Sequence, residues 1–276
     1  MDRLFVLPFD HRSTFTTSLF GFDYPIKTSA KKKAVKDMKK VVFDAFILAH
    51  NQYKNSEDMA ILVDEEFGSS IIKDAQNNMI QLIVSVERSG QLFFQFEHGN
   101  NFGTHLKHIK PTYAKALVRY DASQKIGNEI QNTRLKRFND FCAQNDIKWM
   151  LEPLMTGTGD KFRQIKKTVQ QMKSYGINPD IWKVEGLKNI KQWKELYKLT
   201  NTDLIVLGRG ESKKMVEAWI KTAASSGVVK GFAVGRTVFF DVLEDLRDKK
   251  ITRSQAVQKI ANNYLHFIRL FEKYED

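Results

Sequence analysis

At 276 residues, 42% of them hydrophobic, the chain can bury one sizeable core, and its 5 prolines and lack of any Ser/Gly-rich linker argue against several domains. A single cysteine, Cys142, excludes an intramolecular disulfide framework, and no run approaches the roughly 18 apolar residues of a membrane span. The net charge of +12 sits largely on dispersed lysines such as Lys31-Lys32-Lys33, Lys36 and Lys39-Lys40, a pattern of solvated helix faces rather than of a nucleic-acid interface, and one that suits an anionic metabolite.

The first element, Leu4–Phe9, reads as a strand and is too short for a signal peptide, so with a lone cysteine a cytoplasmic protein is expected. It runs into Asp10-His11-Arg12. Val35, Met38, Val42, Ala45, Phe46 and Ala49 then mark one face of a helix. The second strand, Met59–Val63, leads to Asp64-Glu65-Glu66 and a helix expected over Ser69–Met79; the third, Leu82–Val86, leads to Glu87-Arg88 and an irregular excursion, Gln91–Lys110. Ala114–Tyr120 carries Lys115 and Arg119, and the helix after it places Cys142 as a small apolar core residue. Ile147–Leu151 is followed at once by Glu152, and Ile181–Val184 contains Lys183 with Glu185 just beyond. Leu204–Leu207 and Gly231–Val234 end in two similar turns, Gly208-Arg209-Gly210-Glu211-Ser212 and Gly235-Arg236-Thr237. A capping-box pattern, Thr252-Arg253-Ser254-Gln255, opens a last helix with Val257, Ile260, Tyr264, Ile268 and Phe271 on one face.

Eight strand-like runs alternating with helical ones predict a (β/α)8 TIM barrel over residues 1–276 as one domain, because parallel strands need crossover helices. In that fold the working residues lie at the C-terminal ends of the strands, and phosphate binds after strands seven and eight. The paired Gly–Arg turns fall at those two loops, so Gly208, Arg209, Gly210, Gly235 and Arg236 are the expected phosphate contacts, with backbone N–H groups and guanidinium sharing the anion. Alternation puts Lys115 and Arg119 on one face and Ile181, Lys183 and Glu185 on another. If both faces point inward, the mouth holds two lysines among carboxylates, an arrangement costly for stability alone.

Chemistry supplies a reason for the cost. A buried lysine beside a second cation favours its neutral amine, which attacks a ketone to form an iminium. Lys183 is the expected nucleophile and Lys115 the neighbouring cation. Glu152, at the end of an apolar strand where its pKa would rise, is the expected proton carrier, and Asp10 and His11 orient hydroxyls or share the transfers. Arg12, Glu87 and Arg119 complete the expected substrate contacts.

The segments Leu7-Pro8-Phe9-Asp10-His11-Arg12, Val63-Asp64-Glu65-Glu66-Phe67-Gly68, Val86-Glu87-Arg88-Ser89-Gly90, Lys115-Ala116-Leu117-Val118-Arg119-Tyr120, Trp182-Lys183-Val184-Glu185-Gly186, Leu207-Gly208-Arg209-Gly210 and Gly231-Phe232-Ala233-Val234-Gly235-Arg236 span nearly the whole chain. Together they resemble the class I aldolase family of 5-dehydro-2-deoxyphosphogluconate aldolase, an enzyme of inositol catabolism, and more distantly tagatose-1,6-bisphosphate aldolase. The resemblance implies a Schiff base at Lys183, support from Lys115 and Glu152, substrate contacts from Asp10, His11 and Arg236, no metal and no cofactor. Its implied reaction cleaves 5-dehydro-2-deoxygluconate 6-phosphate to dihydroxyacetone phosphate and malonate semialdehyde. Asp121-Ala122-Ser123 departs from the Asn-Pro turn expected of inositol-pathway members, which bears on the substrate and not on the lysines.

Three rival readings remain. A tagatose-1,6-bisphosphate-type aldolase would share the mechanism, whereas a non-enzymatic binding protein on the same barrel would have little need for buried charge. Zinc-dependent aldol chemistry would have to draw on His98, His105 and His108 in the excursion. The expected partner is a phosphorylated sugar or sugar acid; neither nucleic acid nor membrane is expected, and self-association is left open.

Overall fold

A computed structural model describes residues 3–275. Strand β1 (Leu4–Pro8) is followed by α1 (Ser13–Phe20) and α2 (Ser29–Gln52), then β2 (Met59–Val63), α3 (Glu65–Asn77), β3 (Gln81–Ser85), α4 (Phe102–Ile109) and β4 (Tyr113–Tyr120). The second half runs α5 (Lys125–Gln144), β5 (Trp149–Met155), α6 (Lys161–Ser174), β6 (Ile181–Glu185), α7 (Ile190–Thr200), β7 (Asp203–Leu207), α8 (Lys213–Ala224), β8 (Gly231–Ala233), α9 (Arg236–Arg247) and α10 (Arg253–Tyr274). Each strand pairs with the next in parallel and β8 closes on β1, giving the expected (β/α)8 barrel. Closure depends on Gly231, where a Cβ would meet the Leu4 carbonyl oxygen at 2.0 Å. No helix among the described residues is long and apolar enough to cross a membrane.

The period-two alternation of the strands sorts side chains into two environments. Leu4, Val6, Ala60, Leu62, Ile83, Tyr113, Met150, Ile181, Ile205 and Ala233 form an apolar plug inside the barrel. Their neighbours, such as Phe5, Leu7, Ile61 and Val184, face the helices in a larger core. Two residues beyond the plug, the same inward rows carry Ser85, Lys115, Glu152 and Lys183, all buried. A charged layer thus lies directly on an apolar one, at the C-terminal end.

Beyond one-residue shifts at strand ends, the structure differs from the sequence reading in three places. Helix α3 begins at Glu65 rather than Ser69, because the Asp64 carboxylate accepts from Phe67 N at 2.9 Å and caps it. Gly68 does not break that helix, since a Cβ there would meet the Val63 side chain at 2.2 Å. Strand β5 starts at Trp149 and runs to Met155, so Glu152 lies within the strand instead of after it. Pro153 is tolerated because even-numbered N–H groups face β4, as Thr156 N to Tyr120 O shows, while pairing with β6 already stops at Leu151. The excursion after β3 contains the crossover helix α4, preceded by an antiparallel bridge from Glu87 to Phe96. The C-terminal capping box is present, with Thr252 N donating to Gln255 Oε1 at 2.8 Å and Gln255 N to Thr252 Oγ1 at 3.3 Å.

Candidate active site

The barrel mouth is a single cavity lined by all the residues expected to act in catalysis or bind substrate, from Asp10, His11 and Arg12 after β1 to Gly235 and Arg236 after β8. At its floor Lys115 Nζ lies 2.8 Å from Asp10 Oδ2, 2.8 Å from Glu87 Oε1 and 3.2 Å from Glu152 Oε2. Lys183 Nζ donates to the same Glu152 oxygen at 2.8 Å. The two lysines are therefore neighbours with unequal surroundings: Lys115 is held by three carboxylates and is 1% exposed, while Lys183 has one carboxylate partner and is 4% exposed.

Charge follows from these contacts. Burial opposes the Lys115 ammonium, yet Asp10, Glu152 and Glu87 outweigh it and hold its pKa well above the ordinary lysine value. Burial pushes Asp10 upward, but Lys115, His11 and Lys183 draw it well below the usual carboxylate range. The rise expected for Glu152 is reversed: although burial raises it, Lys115 and Lys183 together lower it, so it is a firm carboxylate. Glu87 is the raised carboxyl, because burial and Asp10 prevail over Lys115 and Arg12. Burial also pushes the His11 imidazole down to about 4, leaving it neutral near pH 7. Its Nδ1 and the Ser85 hydroxyl are buried without partners among the described residues.

Toward β7 and β8 the mouth turns cationic. Gly210 has φ +78°, and a Cβ there would meet the Arg236 guanidinium at 2.4 Å, so glycine lets the two turns close on each other. Arg236 donates to the Arg209 carbonyl at 2.5 Å and Thr237 Oγ1 to the Glu211 carbonyl at 3.0 Å. No side chain caps α9, whose first N–H groups open beside Arg236. Burial and Arg209 both disfavour the Arg236 charge, a preference that an anion there would reverse.

Other nominated groups are committed elsewhere. Arg12 pairs with Glu97 at 2.5 Å and donates to the Glu87 carbonyl, so it braces the wall of the cavity. Arg119 stands exposed at the rim, 3.5 Å from the Gln91 carbonyl. Glu185 turns from the cavity to Arg209 and Lys161. The acidic trio after β2 does not reach the mouth: Asp64 pairs with the fully buried Lys39, Glu66 accepts from Tyr24 and Glu65 contacts His98 and His105, because the chain enters α3 immediately. Residues not singled out from the sequence include Ser85, in register with Lys115, and the rim hydroxyls Ser13, Thr14 and Ser89. Only the row Ile83, Ser85 hinted at Ser85; the others lie in loops without a period.

Fold and site together define a (β/α)8 barrel protein whose mouth joins a lysine–carboxylate cluster to an arginine-lined end. The chain belongs to a family described as an uncharacterized protein conserved in bacteria (DUF2090), whose model matches residues 1–275. No curated protein matches it. Among solved structures, it is similar to Cgl0159 from Corynebacterium glutamicum, with a TM-score of 0.63 at 18% identity over 96% of this chain and 86% of that one. It is also similar to the YdjI aldolase from Escherichia coli K12, with a TM-score of 0.58 at 12% identity over 99% of this chain and 93% of that one. At such identities the likeness is one of fold.

Proposed function

We propose that the protein is a Schiff-base aldolase that cleaves a phosphorylated keto sugar acid, 5-dehydro-2-deoxygluconate 6-phosphate. The observation that carries this reading is the inequality of the two lysines: Lys115 is neutralised on three sides and serves as a fixed cation, while Lys183 shares only Glu152 and opens to the cavity. The aldolase-bearing fold of YdjI supports the same class of activity.

In this mechanism the Lys183 amine attacks the substrate ketone, and the carbinolamine loses water to give an iminium. Glu152, hydrogen-bonded to Lys183, takes the proton released by the amine and returns it to the departing hydroxyl. A base removes the proton from the hydroxyl on the far carbon of the bond to be broken, the carbon that leaves as the aldehyde; neutral His11 and Asp10 stand at the mouth for that transfer. The electron pair of the breaking carbon–carbon bond flows into the iminium, leaving the enamine of dihydroxyacetone phosphate on Lys183 and releasing malonate semialdehyde. Protonation and hydrolysis of the enamine then free dihydroxyacetone phosphate. The phosphate sits against Arg236, Arg209 and the α9 N-terminus. Arg119 or Arg88, both lining the cavity, takes the carboxylate end, since Arg12 is already paired with Glu97.

Borohydride reduction in the presence of dihydroxyacetone phosphate, followed by mass mapping, is expected to label Lys183. No label in folded protein sinks the mechanism, and a label on Lys115 exchanges the roles. Faster cleavage of tagatose 1,6-bisphosphate than of the keto sugar acid keeps the mechanism and replaces the substrate; cleavage of neither favours a binding protein.

A further inference from the structure

Glu65, His98 and His105 meet outside the barrel mouth, whose cavity none of them lines. Glu65 is the first residue of α3, His98 stands just before α4 and His105 lies within it. His98 Nε2 is 3.3 Å from Glu65 Oε1, and His105 Nε2 touches the other oxygen, Oε2. The two imidazoles lie close, tilted by 31° with centroids 3.6 Å apart, and the three ligand atoms all lie within 4.8 Å of one another. His108, one turn beyond His105, is exposed and outside the cluster.

The three groups converge from two elements, with Glu65 opening α3 and the two histidines flanking the start of α4, and each imidazole presents Nε2 to a different oxygen of one carboxylate. A single divalent cation satisfies all three at once, with both imidazoles neutral and the carboxylate charged. Two histidines, one carboxylate and a solvent-facing side form a zinc-type donor set. Bonds of about 2.0–2.2 Å to such an ion bring the ligand atoms to roughly 3.3 Å from one another, an adjustment within reach of half-buried side chains.

We propose that Glu65, His98 and His105 bind one divalent transition-metal ion of the zinc type, clamping the β3–β4 crossover onto α3. This departs from the expectation of a protein without metal and leaves the proposed Schiff-base chemistry untouched, because the site lies away from Lys183. It nevertheless borders the mouth's support. Glu97, next to His98, pairs with Arg12 at 2.5 Å, and Phe96 bridges to Glu87, whose carboxylate holds Lys115.

The test is calorimetric titration of metal-stripped full-length protein with Zn²⁺, together with the visible spectrum of the Co²⁺ form. One ion per chain is expected, with a tetrahedral-type cobalt spectrum. His98→Ala, His105→Ala and Glu65→Gln are each expected to weaken binding by at least about 10–100-fold, whereas His108→Ala and Lys183→Met bind as the parent does. Circular dichroism checks folding, and near-isosteric Glu65→Gln carries the test if an alanine variant does not fold. Absence of zinc binding, binding indifferent to all three ligand substitutions, or binding lost in Lys183→Met overturns the proposal, and none of these outcomes depends on whether the protein is an aldolase.

Discussion

Replacing Lys115 by methionine keeps much of the side-chain volume and removes the charge that three carboxylates share. The Lys115 ammonium is 2.8 Å from Asp10, 2.8 Å from Glu87 and 3.2 Å from Glu152, in a site with almost no solvent. Removing one partner of a buried ion pair costs about 3–5 kcal/mol. At about 2–4 °C per kcal/mol for a chain approaching this size, the unfolding midpoint of Lys115→Met at pH 8 is expected to fall by roughly 6–20 °C. The sign of its pH dependence follows from the neighbours. In the native protein Asp10 and Glu152 are held below their ordinary values, so their stabilisation is complete above the usual carboxylate range and is lost as pH falls through the lower folded values. Without the ammonium, burial dominates, and these carboxyls together with Glu87 bind protons more readily folded than unfolded. Acidification therefore relieves the variant, and its deficit should shrink between pH 8 and pH 5. Thermal unfolding of both proteins across that range measures it, with Lys115→Met/Glu87→Gln expected to recover part of the loss. A midpoint within instrument error of the parent at pH 8, or a gap that widens on acidification, refutes the placement of Lys115 as the ion holding the cluster together.

Three shorter predictions concern the rest of the mouth. Glu152→Gln should cut turnover by about 10²–10⁴ while leaving the borohydride-labelled residue unchanged; near-parent turnover in steady-state assays removes Glu152 from proton transfer. Arg236→Ala should weaken phosphorylated ligands far more than their unphosphorylated counterparts in calorimetric titration, and equal losses would mean that this end of the cavity does not bind phosphate. His11, pushed down to about 4 from an ordinary 6.5, takes a proton in the unfolded chain across that window but not in the folded one, so stability declines as pH falls through it. His11→Gln should flatten that decline by up to roughly 3 kcal/mol, read from urea midpoints at pH 7 and pH 4.5; an unchanged slope counts against a buried neutral imidazole.

Much of this molecule follows from local pattern. Alternation in Tyr113, Lys115 and in Ile181, Lys183 carries its own phase, so once the apolar member faces inward the lysine two residues on must do the same. The eight strand runs, the capping box at Thr252 and the two Gly–Arg turns are likewise short-range signals, which is why the barrel and most of the charged residues lining its mouth were legible from the chain alone. Partnership was not. Glu152 is a strongly held carboxylate because β4 and β6 bring Lys115 and Lys183 to the same oxygen, and no property of its own strand encodes two neighbours 37 and 31 residues away. The same limit separates Asp64, Glu65 and Glu66, adjacent in sequence yet facing Lys39, a histidine pair and Tyr24. Sequence determines which residues a strand or helix presents to its inner face; tertiary structure alone decides which charges meet there, because ion pairing and desolvation depend on distances of a few ångströms between segments far apart along the chain.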